Sequence, residues 1–197
     1  MTALPIIPPP ELASAAAFND AATANGWPAI ADETCSFNHA VLSDLLALWR
    51  SEAAQGIPLR TTMTARKLQP FMRNIALYER IGEGVQRRYR VRLMGSGIVE
   101  YFGELTGKSF EEAVPPAYLP LWYGACDVPL LSRQPVRYVA RADTFEKSFV
   151  VVEYFYAPLM ADSGLVKFAL LGVIFDGQRS WADVEAEARQ RHGPSPA

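Results

Sequence analysis

The side chains best suited to chemistry are few. The chain has two histidines, His39 and His192, and two cysteines, Cys35 and Cys126. His39 stands at a candidate helix start and His192 in the tail, so neither a Ser-His-Asp arrangement nor a two-histidine metal site assembles. The cysteines lie far apart and match no metal-ligand spacing, which reads as a reduced cytoplasmic chain, with a single disulfide as the alternative. Asp127 and Glu153 remain as the acids that could serve as general acid or base, and neither has a histidine partner. Gly95-x-Gly97 follows a candidate strand and precedes a candidate helix, but Glu100 occupies the place of the third glycine of a dinucleotide loop, so a plain turn is expected. No P-loop is present. No catalytic residue, metal or cofactor is assigned.

Binding chemistry is better represented. Arg88, Arg90 and Arg92 alternate with Tyr89, Val91 and Leu93, which places three guanidiniums on one strand face. That face is either a solvated outer surface or a patch for an anion or acidic partner. Tyr138, Tyr154 and Tyr156 fall on the strand face turned toward the helices, as set by the charges at Arg137, Arg141 and Glu153. The same alternation around Lys167 turns Phe168, Leu170 and Ile174 inward. With Tyr101, Trp122 and Cys126 from the helical region, the tyrosines form either ordinary core or the lining of a ligand site, since each phenol offers apolar area and a hydroxyl that needs a partner when buried.

These residues need elements to hold them. The 197 residues are 50% hydrophobic and 20% charged, an ordinary globular composition. Nineteen Lys+Arg against 21 Asp+Glu, a formal net charge of −2, give no bulk charge for nucleic acid or an anionic membrane. Residues 1–37 are rich in Pro and Ala and read as a flexible arm with a short helical stretch near Glu11 to Phe18. Residues 38–57 form an amphipathic helix: Val41, Leu42, Leu45, Leu46, Leu48, Trp49 and Ala53 recur at spacings of three and four, with Asn38 or Ser36 to cap it and Gly56 and Pro58 to stop it. Its apolar face is wide, so Leu42, Leu45, Leu46 and Trp49 are expected to meet a second copy of the chain in a homodimer.

Beyond it, Ile75 to Ile81 and Arg87 to Met94 form a hairpin with Gly82 and Gly84 in its turn. Short helices follow, then a longer apolar one over Tyr118 to Leu131. Val136 to Ala142, Phe149 to Met160 and Leu165 to Phe175 form an antiparallel meander, and Trp181 to Arg191 a polar closing helix before a frayed tail. The expectation is an α+β fold with a five-stranded antiparallel sheet, its helices gathered on one face.

That order, with particular phrases, resembles the PAS domain, and in detail the single-domain PAS proteins common in alphaproteobacteria. The likeness spans about Leu42 to Asp176. It rests on the Leu45…Leu48-Trp49 helix leading to Pro58-Leu59-Arg60, on Tyr89-Arg90-Val91-Arg92-Leu93-Met94-Gly95, on Tyr101-Phe102-Gly103-Glu104-Leu105-Thr106-Gly107-Lys108, and on Pro158-Leu159 before a turn. Thr61 to Lys67 lacks the proline that the family often shows after its arginine. The resemblance places the PAS domain at residues 58–178, followed by the closing helix and tail at 179–197. It implies a cytoplasmic sensory or regulatory module that binds a small molecule, a partner protein or both, and signals in trans. The rivals are a ligand-free dimerisation or adaptor module and a small cone-shaped enzyme using Asp127 or Glu153. Leu105 to Pro135 holds no histidine for axial haem ligation, and no Asn-Cys-Arg phrase of the flavin light sensors surrounds Cys126, so neither group is expected. The ligand site is assigned to Tyr101, Trp122, Cys126, Tyr138, Tyr154 and Tyr156.

Overall fold

The computed structural model describes residues 7–54, 56–142, 147–177 and 179–192; the expected tail at 193–197 and the first six residues of the expected arm lie outside the described residues. Six strands, β1 (Ala29–Asp32), β2 (Ile75–Ile81), β3 (Arg88–Met94), β4 (Val136–Ala142), β5 (Lys147–Met160) and β6 (Val166–Asp176), form one antiparallel sheet in the order β1-β4-β5-β6-β2-β3. The helices are α1 (Ala15–Asn25), α2 (Ala40–Glu52), α3 (Ala65–Leu68), α4 (Ser96–Phe102), α5 (Phe110–Ala113), α6 (Leu119–Ser132) and α7 (Trp181–His192). The α+β class and all five expected strands are present, with β1 as a sixth.

β1 corrects the reading of residues 1–37 as a flexible arm. Within them, Ser14 caps α1 by accepting from the amide of Ala17, and Phe18 and Ala22 are buried. β1 then pairs with β4, Ala31 opposite Tyr138. Asn19 closes the outer edge of β1 with both halves of its amide, donating to the carbonyl of Ala31 at 3.0 Å and accepting from its N–H at 2.7 Å. A sheet edge left open would template association, and here one side chain blocks it.

Helices cover both faces of the sheet, not one. α1, α4, α5 and α6 pack on the front, where Ala76, Tyr78, Tyr138, Val152, Tyr156, Leu171 and Val173 are buried. α2 packs on the back over Leu77, Phe155, Ala157, Leu159 and Leu170. Val184 of α7 packs on Val139 and Val151, also on the back. Phe168, Leu170 and Ile174 therefore lie on the back, contrary to the expectation, and Ala169, Leu171 and Val173 face the front helices. With both sides of β6 apolar, no polar side marks its orientation.

The back layer also accounts for the width of the α2 apolar face. Leu42 and Leu45 are fully buried, and Leu46 and Trp49 nearly so. Gly172 of β6 lets the helix sit close, because a Cβ there would lie 2.7 Å from Leu45 Cδ2 and 2.8 Å from Leu42 Cδ2. Trp49 Nε1 donates to the carbonyl of Pro158 at 2.9 Å. The four residues expected at a dimer interface are thus spent inside the protomer, because the sheet's back face needs the same apolar stripe.

Neither Asn38 nor Ser36 caps α2. His39 is the N-cap and makes no side-chain cap; the Glu153 carboxylate, from β5, accepts the backbone N–H of Asn38 and of His39 instead, at 3.1–3.2 Å. A carboxylate there also meets the positive end of the helix dipole. Among the described residues, no helix is long and apolar enough to cross a membrane.

Candidate functional site

A cavity of about 50 Å³ lies between the front face of the sheet and the helical layer. Its floor is aromatic. Tyr138 of β4 is the cross-strand partner of Tyr154 of β5, which pairs in turn with Val173 of β6, while Tyr78 of β2 pairs with Ala169. Trp122 and Ala125 of α6, Ile98 and Phe102 of α4, and Phe18 of α1 supply the walls. Phe102, Trp122, Ala140, Arg141 and Tyr154 are half-buried and form the rim.

A proline sets one of these groups. Pro129, inside α6, has no N–H to give the carbonyl of Ala125, one turn earlier. The Tyr138 hydroxyl donates to that carbonyl instead, at 3.1 Å. Phe18 packs edge-on to the same tyrosine, with ring centroids 4.9 Å apart. Tyr138 is therefore held at both ends. By contrast, the hydroxyls of Tyr78, Tyr154 and Tyr156 have no hydrogen-bond partner among the described residues, although all three line the cavity. Burial pushes their pKa values far up, so they are neutral phenols, able both to donate and to accept.

Of the six residues assigned from sequence, Trp122, Tyr138, Tyr154 and Tyr156 line the cavity. Tyr101 does not: its ring stacks on Phe175, centroids 3.6 Å apart and planes 6° from parallel. Cys126 is fully buried in the front core, and burial first, then the neighbouring Asp127, push its thiol pKa up. The assignment missed Tyr78, which the alternation of Ala76 and Tyr78 in β2 could have placed, and Phe18, at the end of a short helical stretch in an arm expected to stay apart from the core. Cys35 lies in the back core, across the sheet from Cys126, so both thiols are free. Among the described residues, no three His, Cys, Asp or Glu side chains gather to hold a metal ion.

The two candidate acids do not line the cavity; each anchors a buried network. Glu153 accepts from Arg137 Nε at 2.6 Å, and Arg137 Nη1 lies 3.4 Å from Asp32. The side-chain oxygen of Asn38, in the orientation that suits its neighbours, accepts from Arg137 and from Arg179, just before α7. Asp127, on α6, accepts from the Tyr89 hydroxyl at 2.6 Å and faces Arg87 at 3.0 Å. Arg87 is 2% exposed; it also donates to the carbonyl of Pro9 and lies 3.4 Å from Glu11, tying the N-terminal segment to the front layer. Of the three-arginine face, Arg88 pairs with Glu111 and Arg92 with Glu79.

Burial raises the Asp127 pKa to about 6 despite the opposing pull of Tyr89 and Arg87. A carboxyl raised above its unfolded value favours the fold while protonated. That contribution is complete below about pH 4 and is lost as pH rises through 6. Relative to Asp127→Asn, the wild type should therefore gain about 1 kcal/mol of stability between pH 7 and pH 5. Urea denaturation of both proteins at the two pH values measures it, and parallel pH dependences would show that Asp127 stays ionised throughout.

No family model matches the chain, and no curated protein matches it. Among solved structures, it is similar in part to one titled as the structure of an RNA-binding light-oxygen-voltage receptor, at 11% identity and a TM-score of 0.40. The match covers 72% of this chain and 41% of that one, so the chain spans less than half of that structure's length.

Proposed function

We propose that the chain is a cytoplasmic sensory or regulatory module of the PAS type, whose front cavity takes a small uncharged molecule and whose occupancy is read by a separate protein. The observation that carries the reading is the set of three tyrosines, Tyr78, Tyr154 and Tyr156, that line one space and whose hydroxyls have no partner among the described residues. Each hydroxyl can donate one hydrogen bond and accept others, so the site favours anything that supplies polar atoms. Neutral phenols between aromatic rings select a neutral guest with one or two oxygen or nitrogen atoms. The helix-and-strand order and the phrases shared with PAS domains support the wider assignment, and no catalytic role for Asp127 or Glu153 belongs to it.

Size links binding to a response. A cavity of about 50 Å³ has room for a few water molecules, whereas benzene needs roughly three times as much. A ring-sized guest must therefore displace the half-buried rim residues Phe102 and Trp122, on α4 and α6. The protein that holds such a guest then differs in surface from the one that does not, which is what a ligand needs to shift a population.

A thermal-shift and native mass spectrometry screen of small neutral aromatics, with phenol and indole as first probes, tests this. A guest present at 100 times its Kd should add about 2.7 kcal/mol, and the Tyr78→Phe/Tyr154→Phe double variant should lose most of that gain. A screen without hits, together with a crystal structure in which ordered waters alone bridge the three hydroxyls, would end the reading.

A further inference from the structure

A second depression lies on the surface and shares no lining residue with the cavity. It is an open groove of about 940 Å³ between the end of β2, the start of β3, the last turn of α6 and the turn joining β5 to β6. Three large apolar side chains left exposed in the fold line it: Ile81 (40% exposed), Leu131 (36%) and Leu165 (58%). Exposed leucines and isoleucines are ordinary when scattered; three sharing one groove mark a contact surface.

The groove is also basic, with four cations against two carboxylates in a chain whose formal net charge is −2. Arg80 and Lys167 are neutralised by Glu11 and Glu79. Arg133 makes no ion pair among the described residues; Arg90 makes none within 4 Å either, although it stands opposite Glu79 and its charge reaches the Glu112 carboxylate. A guanidinium already positioned on an apolar surface is a ready partner for a carboxylate, since its planar fork offers two parallel donors.

We propose that this groove docks an acidic amphipathic segment of a partner protein, its apolar side chains resting on Ile81, Leu131 and Leu165 and its carboxylates meeting Arg90 and Arg133. Charge complementarity chooses this occupant. A second copy of the chain on a two-fold axis would bring the same unpaired guanidiniums into one seam. Strand addition at β3 is blocked at Val91, whose N–H donates to Lys108 O at 2.9 Å and whose carbonyl accepts from Gly107 N at 2.8 Å. α6 carries Trp122 and Ala125 at the cavity and Leu131 at the groove, so one helix reaches both places.

Methyl-labelled protein titrated with synthetic helical peptides of about 14 residues, four turns, tests the proposal. One peptide carries a Leu stripe flanked by Glu, a second the same stripe flanked by Lys, and a third Ser in place of Leu beside Glu. The Leu/Glu peptide is expected to shift the methyls of Ile81, Leu131 and Leu165 and leave those of Leu42 and Leu45 unmoved. Arg90→Glu with Arg133→Glu, both at exposed positions, should weaken it by about tenfold or more, and added salt should weaken it as well. Absence of groove shifts at millimolar peptide, or equal binding of the Leu/Lys peptide, would overturn the proposal. So would methyl shifts that grow with protein concentration alone, which mean self-association, or groove shifts with anionic lipid vesicles but with no peptide. Mapping on the wild type stands even if the double variant fails to fold, and none of these outcomes depends on the cavity's ligand.

Discussion

Glu153→Ala should lower the stability of this protein by about 3–5 kcal/mol, the loss expected when one partner of a buried ion pair is removed and the other is left in place. Arg137, 4% exposed, would keep Asp32, at 3.4 Å, as its one charged partner, beside the side-chain oxygen of Asn38. The two backbone N–H groups at the start of α2 would lose their acceptor at the same time. In a chain of this length each kcal/mol is worth about 2–4 °C, so scanning calorimetry should record a fall in Tm of roughly 6–20 °C. Glu153→Gln keeps the shape and one acceptor oxygen and should fall between the two. A loss for the alanine variant below about 1 kcal/mol would mean that water, not this carboxylate, satisfies Arg137 and the helix start.

Leu45→Ala should cost about 2–5 kcal/mol and leave the oligomeric state as it is in the wild type. Leu45 is fully buried and rests against Gly172, a site with no side chain of its own to move into the space. Leu45→Glu should unfold the chain, because a carboxylate there has no partner in the back core. Light scattering with urea denaturation separates the possibilities: a folded Leu45→Glu monomer from a dimeric wild type would return this face to an interface between copies.

The strands were legible because they are long and bounded by turn residues. Gly82 and Gly84 mark one end of the β2–β3 hairpin, and the turn at Asp162-Ser163-Gly164 separates β5 from β6. Three of the residues that line the cavity, Tyr138, Tyr154 and Tyr156, were legible for a related reason: Arg137, Arg141 and Glu153 break the apolar pattern on one side of β4 and β5 and so orient the tyrosines on the other. Even this inference worked through residues that are themselves buried, since Arg137 and Glu153 satisfy each other inside the back layer. Tyr101 was misplaced because a seven-residue helix turns too little for its sequence to say which residue faces the sheet. In the structure, the ring of Phe175 takes it.

By itself, the sequence determined the class of the fold, five of the sheet's six strands with ends a residue or two from those observed, and a helix within residues 38–57, because those follow from periodicities that local sterics and solvent exposure impose. Tertiary structure alone decided which surfaces those elements share. It placed α2 and α7 behind the sheet, turned α2's wide apolar face inward, and folded the Pro/Ala-rich segment into α1 and β1. β1 is only four residues long, and its sequence Ala-Ile-Ala-Asp has no pattern that separates a strand from a loop; pairing with β4 and the amide of Asn19 make it one. The three unpartnered phenols belong to the same category. Tyr78 is more than seventy residues from Tyr154 and Tyr156, and only the return of β6 between β5 and β2 brings the three hydroxyls around one cavity.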